Sequence, residues 1–395
     1  MKKYNLTFLN WIKKIYWNLV RDQLDCYEEQ SRIKKTLEKY KNRISLSSPD
    51  RYFWRSVCQY ECQEYNRELF KKIIYNLTSA VLFFFLLIKI RPRKSRVVNK
   101  VKCEYLKVDN YRNLLIPQAI AHKVTVAEPV KHKYLLAEDL FFVIQLFYRN
   151  QYFSLVLMVR FFRWIMRVRP YLDAYEPELL IQYCEYSPTS SLRKMYLNER
   201  GISIVNVSHG EEAISCRNAF SSFDEYYVWS NIPESVHSAM YVESKNRFQF
   251  NPCEMLPQAL KLKKTIVGLL WPADKNDSFM SAFISQLYSL KDCHIVVRPH
   301  PSPRYSLSFY ELNKILKLDV SDSRHEDIHE FIDRISILIG ASSAAMVEAN
   351  LRGREIVYIR TPELDAFRNY NEYYQRIPFI EVESLASYIL RLTND

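Results

Sequence analysis

Four short apolar runs constrain the last third of this chain of 395 residues: TIVGLLWP at 265–272, HIVVRP at 294–299, SILIG at 336–340 and REIVYI at 354–359. They are too uniformly apolar to alternate between core and solvent. Each is followed by a stretch long enough for a helix. That combination predicts parallel strands buried on both faces. A weaker version lies upstream. LLIQYCEY at 179–186 reads as a strand, SPTSSLRKMYLNERG at 187–201 as a helix closed by Gly201, and ISIVNVSHG at 202–210 and YYVWS at 226–230 as further strands. Residues 245–264 are less regular, and the pattern restarts after KLKK at 261–264. The chain therefore divides near residue 260.

Earlier segments read as helical. Phe8, Trp11, Ile12, Ile15 and Leu19 recur near helical period, so residues 1 to 78 are expected to be helix, lying in a bilayer interface or packed on the core. AVLFFFLLI at 80–88 is the most apolar run, with Lys71 and Lys72 before it and Lys89, Arg91, Arg93, Lys94 and Arg96 after it. A spanning helix needs about twenty residues, so this run is expected not to cross a membrane but to be buried or to anchor shallowly within its basic collar. Residues 136–170 read as one long helical stretch with Arg160, Arg163 and Arg167 on one face, in solvent or against an anionic partner. The expected organisation is a helical, membrane-proximal extension at 1–97, a first Rossmann-like domain at 98–259 and a second at 260–395.

Composition narrows the function. With 48% hydrophobic and 25% charged residues the chain is globular. It has only 5 Gly, and neither GxGxxG nor GxxxxGK[ST] occurs, which excludes the dinucleotide fingerprint and the P-loop. The formal charge of +12, concentrated beside apolar and aromatic runs, points to an anionic membrane surface. No zinc-finger, RRM or basic-zipper pattern is present, and no nucleic-acid partner is expected. The 8 Cys show no metal spacing: Cys58 and Cys62 form a lone C-x3-C. Scattered thiols suit a reducing compartment. No signal peptide is visible, because Asn10, Lys13, Lys14 and Asn18 interrupt the first apolar residues.

Three motifs sit just after strands. HIVVRPHP ends in Arg298, Pro299, His300 and Pro301, where two prolines fix an imidazole at a strand's carboxyl end beside a cationic fork. GASSAAMVEANLRG, at 340–353, reads as strand, turn and helix, with Ser342 or Ser343 as N-cap and Glu348 one to two turns in. Free N–H groups and a hydroxyl at a helix start bind anions, and the carboxylate suits a ribose hydroxyl or solvent. VNVSHGEE places His209, Gly210, Glu211 and Glu212 after a strand. His209 or Glu211 would serve as general base, although a structural histidine bonding a loop carbonyl fits the tripeptide as well. HEDIH at 325–329 matches HExxH but lacks a nearby third ligand, so a solvated helix face accounts for it better.

Over residues 177 to 395 these motifs, in this order, resemble bacterial GT-B glycosyltransferases of surface-polysaccharide synthesis. That group includes polysialyltransferase-like and Kdo-transferase-like enzymes and CDP-glycerol glycerophosphotransferases. His300-Pro301 looks like the group's HP motif, Ser342-Ser343 like its S-S motif, and His209-Gly210 like the HG of its N-terminal domain. The chain departs on the acceptor side, where no clear acidic-acidic-glycine motif occurs, only Glu211 and Glu212 after Gly210. The resemblance implies an α/β GT-B-like fold, two Rossmann-like domains facing a cleft with an N-terminal helical extension. It implies an enzyme without cofactor or metal, moving a sugar from a nucleotide donor, a CMP-sugar first, to a glycan or lipid-linked glycan acceptor of capsule, O-antigen or lipooligosaccharide. Arg298, His300, Pro301, Ser342, Ser343 and Glu348 would hold the donor nucleotide, and His209, Glu211 and His300 would be catalytic. The expected location is the cytoplasm, peripheral to the inner face of the plasma membrane. The alternatives are a polyol-phosphate transferase using CDP-glycerol or CDP-ribitol, a hydrolase or epimerase (a sugar-nucleotide enzyme on the same scaffold, or a zinc hydrolase built on HEDIH), and a non-catalytic glycan- or membrane-binding subunit.

Overall fold

The computed structural model describes residues 29–64, 69–91, 100–108, 116–130, 133–183, 186–208, 210, 214–254, 265–271, 277–290, 292–301, 303–341, 343–361, 364–365 and 372–394. The chain forms two compact units. The first comprises residues up to 209 with 214–228 and 234–249; the second comprises 210–213, 229–233 and 250 onward.

In the second unit six parallel strands form one sheet. They are β9 (Val267–Leu270), β10 (Ile295–Arg298), β11 (Asp319–Val320), β12 (Ile337–Gly340), β13 (Glu355–Ile359) and β14 (Phe379–Ile380). Counted within the unit the order is 3-2-1-4-5-6, the doubly wound Rossmann arrangement. The four apolar runs are its four central strands. Their alternate residues feed two core layers. Leu269, Val297, Ile339 and Val357 enter one, and Val296, Leu338, Ile356 and Tyr358 the other. Every strand-to-strand register is parallel and level: Val320, Val297, Leu269, Ile339 and Val357 stand in one row. Gly268 sits in the second layer, where a Cβ would come within 2.7 Å of Ile335 Cδ1 and 2.9 Å of Phe331 Cζ. Its missing side chain lets the helix Ile328–Asp333 and the residues after it press against the sheet.

The first unit holds a second six-stranded sheet, in the order β3-β2-β5-β6-β7-β8. Its strands are β2 (Val101–Lys107), β3 (Val124–Val126), β5 (Tyr175–Gln182), β6 (Ser203–Val207), β7 (Ser222–Trp229) and β8 (Glu243–Phe250). Two short parallel strands, β1 (Ile90–Arg91) and β4 (Leu135–Leu136), pair separately. The chain thus contains the expected pair of Rossmann-like units. The helices Glu29–Ile44, Asp50–Glu64 and Leu69–Leu87 belong to the first of them. Polar bonds dock the middle one: Arg55 Nε donates to the Phe220 carbonyl at 3.2 Å, and Ser56 Oγ accepts from Leu192 N at 2.9 Å.

Three readings of the sequence need correction. The stretch 136–170 is two helices, Ala137–Arg149 and Leu155–Ala174. Between them Gln151 takes φ 50°, and Ser154 caps the second helix by accepting from Leu157 N at 3.3 Å. Strand β5 begins at Tyr175 rather than 179 and ends at Gln182. The apolar run 80–88 is not an element by itself: 80–87 forms the end of the 19-residue helix Leu69–Leu87, which is long and apolar enough to cross a membrane. The length argument against crossing therefore fails. Residues 1–28 lie outside the described residues.

Gly268→Val is expected to destabilise the second unit by about 1–3 kcal/mol through overpacking against Phe331 and Ile335. Urea unfolding of the full chain measures it, and an unchanged midpoint would show that this layer yields freely.

Candidate functional site

In an open parallel sheet, ligands bind beyond the carboxyl ends of the strands where the strand order reverses. In the second unit that switch point lies between β9 and β12, which pair directly with each other. Because Arg298 pairs with Leu270 and Leu269 pairs with Ile339, the chain leaves β10, β9 and β12 at one level. The Pro299–Pro301 loop follows β10, and the serine turn follows β12. Their strands are two positions apart, about 10 Å at normal spacing. Residues 272–276, which follow β9, lie outside the described residues.

At the end of β10, Pro299 is buried, while His300 and Pro301 are exposed. Although solvent reaches the His300 side chain, desolvation by the surrounding chain holds its imidazole below the ordinary value, so it is mainly neutral at pH 7. Arg298 points inward. Its guanidinium donates to Ser321 Oγ at 2.6 Å and to the Glu326 carbonyl at 2.9 Å, and it lies over the Phe331 ring. These bonds tie the end of β10 to the segment that precedes helix Ile328–Asp333.

Beyond β12 the chain passes Gly340, where a Cβ would approach Leu270 Cβ and Met346 Sδ at 3.1 Å. Ser343 then caps helix Ala344–Leu351, its hydroxyl accepting from Ala345 N at 3.3 Å. Ser342 lies outside the described residues. So do His209, Glu211 and Glu212; Gly210 is described and belongs to the second unit, and its Cβ would stand 3.5 Å from Ala344 Cβ.

Glu348 is half-buried on the serine-capped helix. Burial pushes its carboxyl up to about 7; the charge of Asp327 raises it further and Arg352 opposes. Its side chain has no hydrogen-bond partner among the described residues. Sequence reasoning missed Asp327, although a signal was there. Asp327-Ile328-His329-Glu330 is a capping box, in which Asp327 accepts from His329 N at 2.8 Å and Glu330 accepts from Asp327 N at 2.9 Å. The same box breaks HEDIH. His325 and Glu326 precede the helix, and Glu326 pairs with Arg334 at 2.6 Å. Among the described residues no group of three or more His, Cys, Asp or Glu could hold a metal ion.

No protein-family model matches the chain, and no curated protein matches it in sequence. Solved structures similar to it include a Listeria monocytogenes protein assigned as a UDP-N-acetylglucosamine 2-epimerase (10% identity, 75% of this chain and 89% of that one, TM-score 0.44). Another is the glycotransferase of kitacinnamycin (11%, 75% and 92%, TM-score 0.43). A third is MurG of Acinetobacter baumannii (10%, 75% and 91%, TM-score 0.40).

Glu348 has a sign-definite effect on stability. Its folded value exceeds the ordinary 4.5, so between about pH 4.5 and 7 the folded chain holds a proton that the unfolded chain has released. Stability from this group is present below that window and lost as pH rises through it. Glu348→Gln should therefore stabilise the chain above pH 7, by up to about 3 kcal/mol, and flatten the fall. Thermal unfolding followed across the window checks this; a lower melting point at alkaline pH would mean the carboxylate is charged and paired.

Proposed function

We propose that the chain is a GT-B glycosyltransferase that moves a sugar from a nucleotide donor, a CMP-sugar first, onto a glycan or lipid-linked glycan of bacterial capsule, O-antigen or lipooligosaccharide. The observation that carries this reading is the Rossmann strand order of the second unit, with a proline-held imidazole and a serine-capped helix start leaving the sheet on either side of its switch point.

Each residue then has a task. His300 donates an N–H to a phosphate oxygen of the donor. A phosphate beside it draws the neutral imidazole toward its charged form, which strengthens the contact as the nucleotide leaves. The N–H groups at the start of helix Ala344–Leu351, with the Ser342 hydroxyl, hold the same phosphate. Stabilising the charge that develops on a leaving group is usually the largest catalytic contribution. Glu348 accepts from a ribose hydroxyl, and Arg298 positions the loop that carries His300. In the transfer the bond from the anomeric carbon to the phosphate oxygen breaks and a new bond to the acceptor oxygen forms. The acceptor proton goes to His209 or Glu211, and the nucleotide keeps the electron pair. The charge work is assigned to these groups, so turnover should survive chelation.

The test is a melting-temperature panel of CMP, CDP, UDP, GDP and ADP, because a ligand that binds only the folded state raises the melting point. A cytidine nucleotide should give the largest shift, and no shift with any of them would remove the donor site. With donor and acceptor present, His300→Ala should lower turnover by about 10²-fold or more, and an unchanged rate would end its phosphate role. Incorporation of labelled glycerol or ribitol phosphate in place of a sugar would reassign the enzyme to polyol-phosphate transfer.

A further inference from the structure

Helix Leu69–Leu87 has two apolar faces. One is buried: Tyr75, Ser79, Leu82 and Leu86 recur at three- to four-residue steps against the core of the first unit. The Phe83 ring lies 6.0 Å from that of Phe162, and the Tyr75 hydroxyl accepts from Arg160 Nε at 2.8 Å. At 100° per residue the opposite side carries Phe70, Ile73, Leu77 and Phe84, continued by Ile88 past the helix end. These five are 70%, 50%, 63%, 67% and 75% exposed. A water-facing helix carries polar residues there, and a continuous apolar stripe on a surface marks an interaction site.

Charge identifies the partner. No Asp or Glu occurs between Leu69 and Arg91, while Lys71 and Lys72 lie in the first turn, flanking the buried side, and Lys89 and Arg91 follow the helix end. The sequence continues with Arg93, Lys94 and Arg96, outside the described residues. A second copy of the chain is disfavoured by the same charges, because either direction of helix pairing would set cations against cations. We propose that this face lies in the headgroup–acyl boundary of an anionic bilayer, with the helix axis in the membrane plane. Crossing is opposed by the buried face: a spanning helix would have to pull Tyr75 from Arg160 and strip Leu82 and Leu86 from the core. This inference is independent of the donor-site reading.

The experiment uses the full chain and vesicles of phosphatidylcholine alone or mixed with phosphatidylglycerol. Sedimentation should show binding to the mixed vesicles, weakened by salt, and little to the neutral ones. A Phe70→Glu, Leu77→Glu, Phe84→Glu variant should lose about a thousandfold or more in partition, at roughly tenfold or more per buried Phe or Leu. Ile315→Glu, at an exposed apolar residue of the second unit, should bind as the parent does. If the triple variant melts lower, Leu77→Glu alone carries the comparison. Alkaline carbonate should release the bound protein. The proposal falls if the parent ignores the anionic vesicles, if the variants bind equally, or if carbonate leaves the protein embedded. It also falls if the stripe instead supports a concentration-dependent dimer without vesicle binding.

Discussion

The register of the second sheet is the constraint on which the candidate site depends. Five strands place Val320, Val297, Leu269, Ile339 and Val357 in one row. Parallel ladders have evenly spaced bonds, so a row fixed in the middle also fixes the ends. The loops after β10 and β12 must then leave the sheet at one height. A slip of one residue in β12 would exchange the two core layers, sending Ile339 to the side of Phe331 and Leu338 to the side of Phe283. The position of the serine turn is therefore set by hydrophobic matching well away from it.

The first unit rests more heavily on long-range polar bonds. Arg55 is buried and donates to the carbonyls of Phe220, Ser221 and Tyr241, with Glu243 supplying the counter-charge at 3.2 Å. Gln59 donates to the Arg217 carbonyl and accepts from Ser190 Oγ. Leaving such buried donors unmade costs more than forming them gains, so these bonds specify where helix Asp50–Glu64 docks as much as they stabilise it. The neighbouring helix Leu69–Leu87 is fixed mainly by packing of one face, which leaves its other face available.

Legibility in the sequence followed locality. The buried strands of the second unit announced themselves, because apolar runs of that length bounded by turns have few other uses. The HP loop and the serine cap were equally readable, since proline geometry and N-capping are decided within a few residues. The break at 150–154 was not, because Asn150, Gln151 and Ser154 are ordinary helix-surface residues until Gln151 adopts a positive φ. Arg169 was also missed. The visible arginine stripe was 160, 163 and 167, yet the buried one is Arg169, bonded to Asp139 at 3.2 Å, with Asp173 at 3.3 Å. That role depends on a partner 30 residues away, which no local pattern discloses.

Two carboxyls with the same shift show why site assignment needs geometry. Glu29 and Glu348 are both pushed up to about 7, and burial is the first cause for each. Glu29 is fully used: it accepts from Cys216 N at 3.0 Å and from Ser215, and it knits helix Glu29–Ile44 to the loop before β7. Those bonds favour its charged form and burial still outweighs them. Glu348 has no such bonds among the described residues, and the charge of Asp327 adds to the effect of burial. A carboxyl kept in that condition destabilises the fold near neutral pH, a cost that a structural role would have offset with a donor. A ligand hydroxyl would supply that donor. The difference between the two groups lies in what already surrounds them: Glu29 meets its donors within the fold, and Glu348 meets none among the described residues.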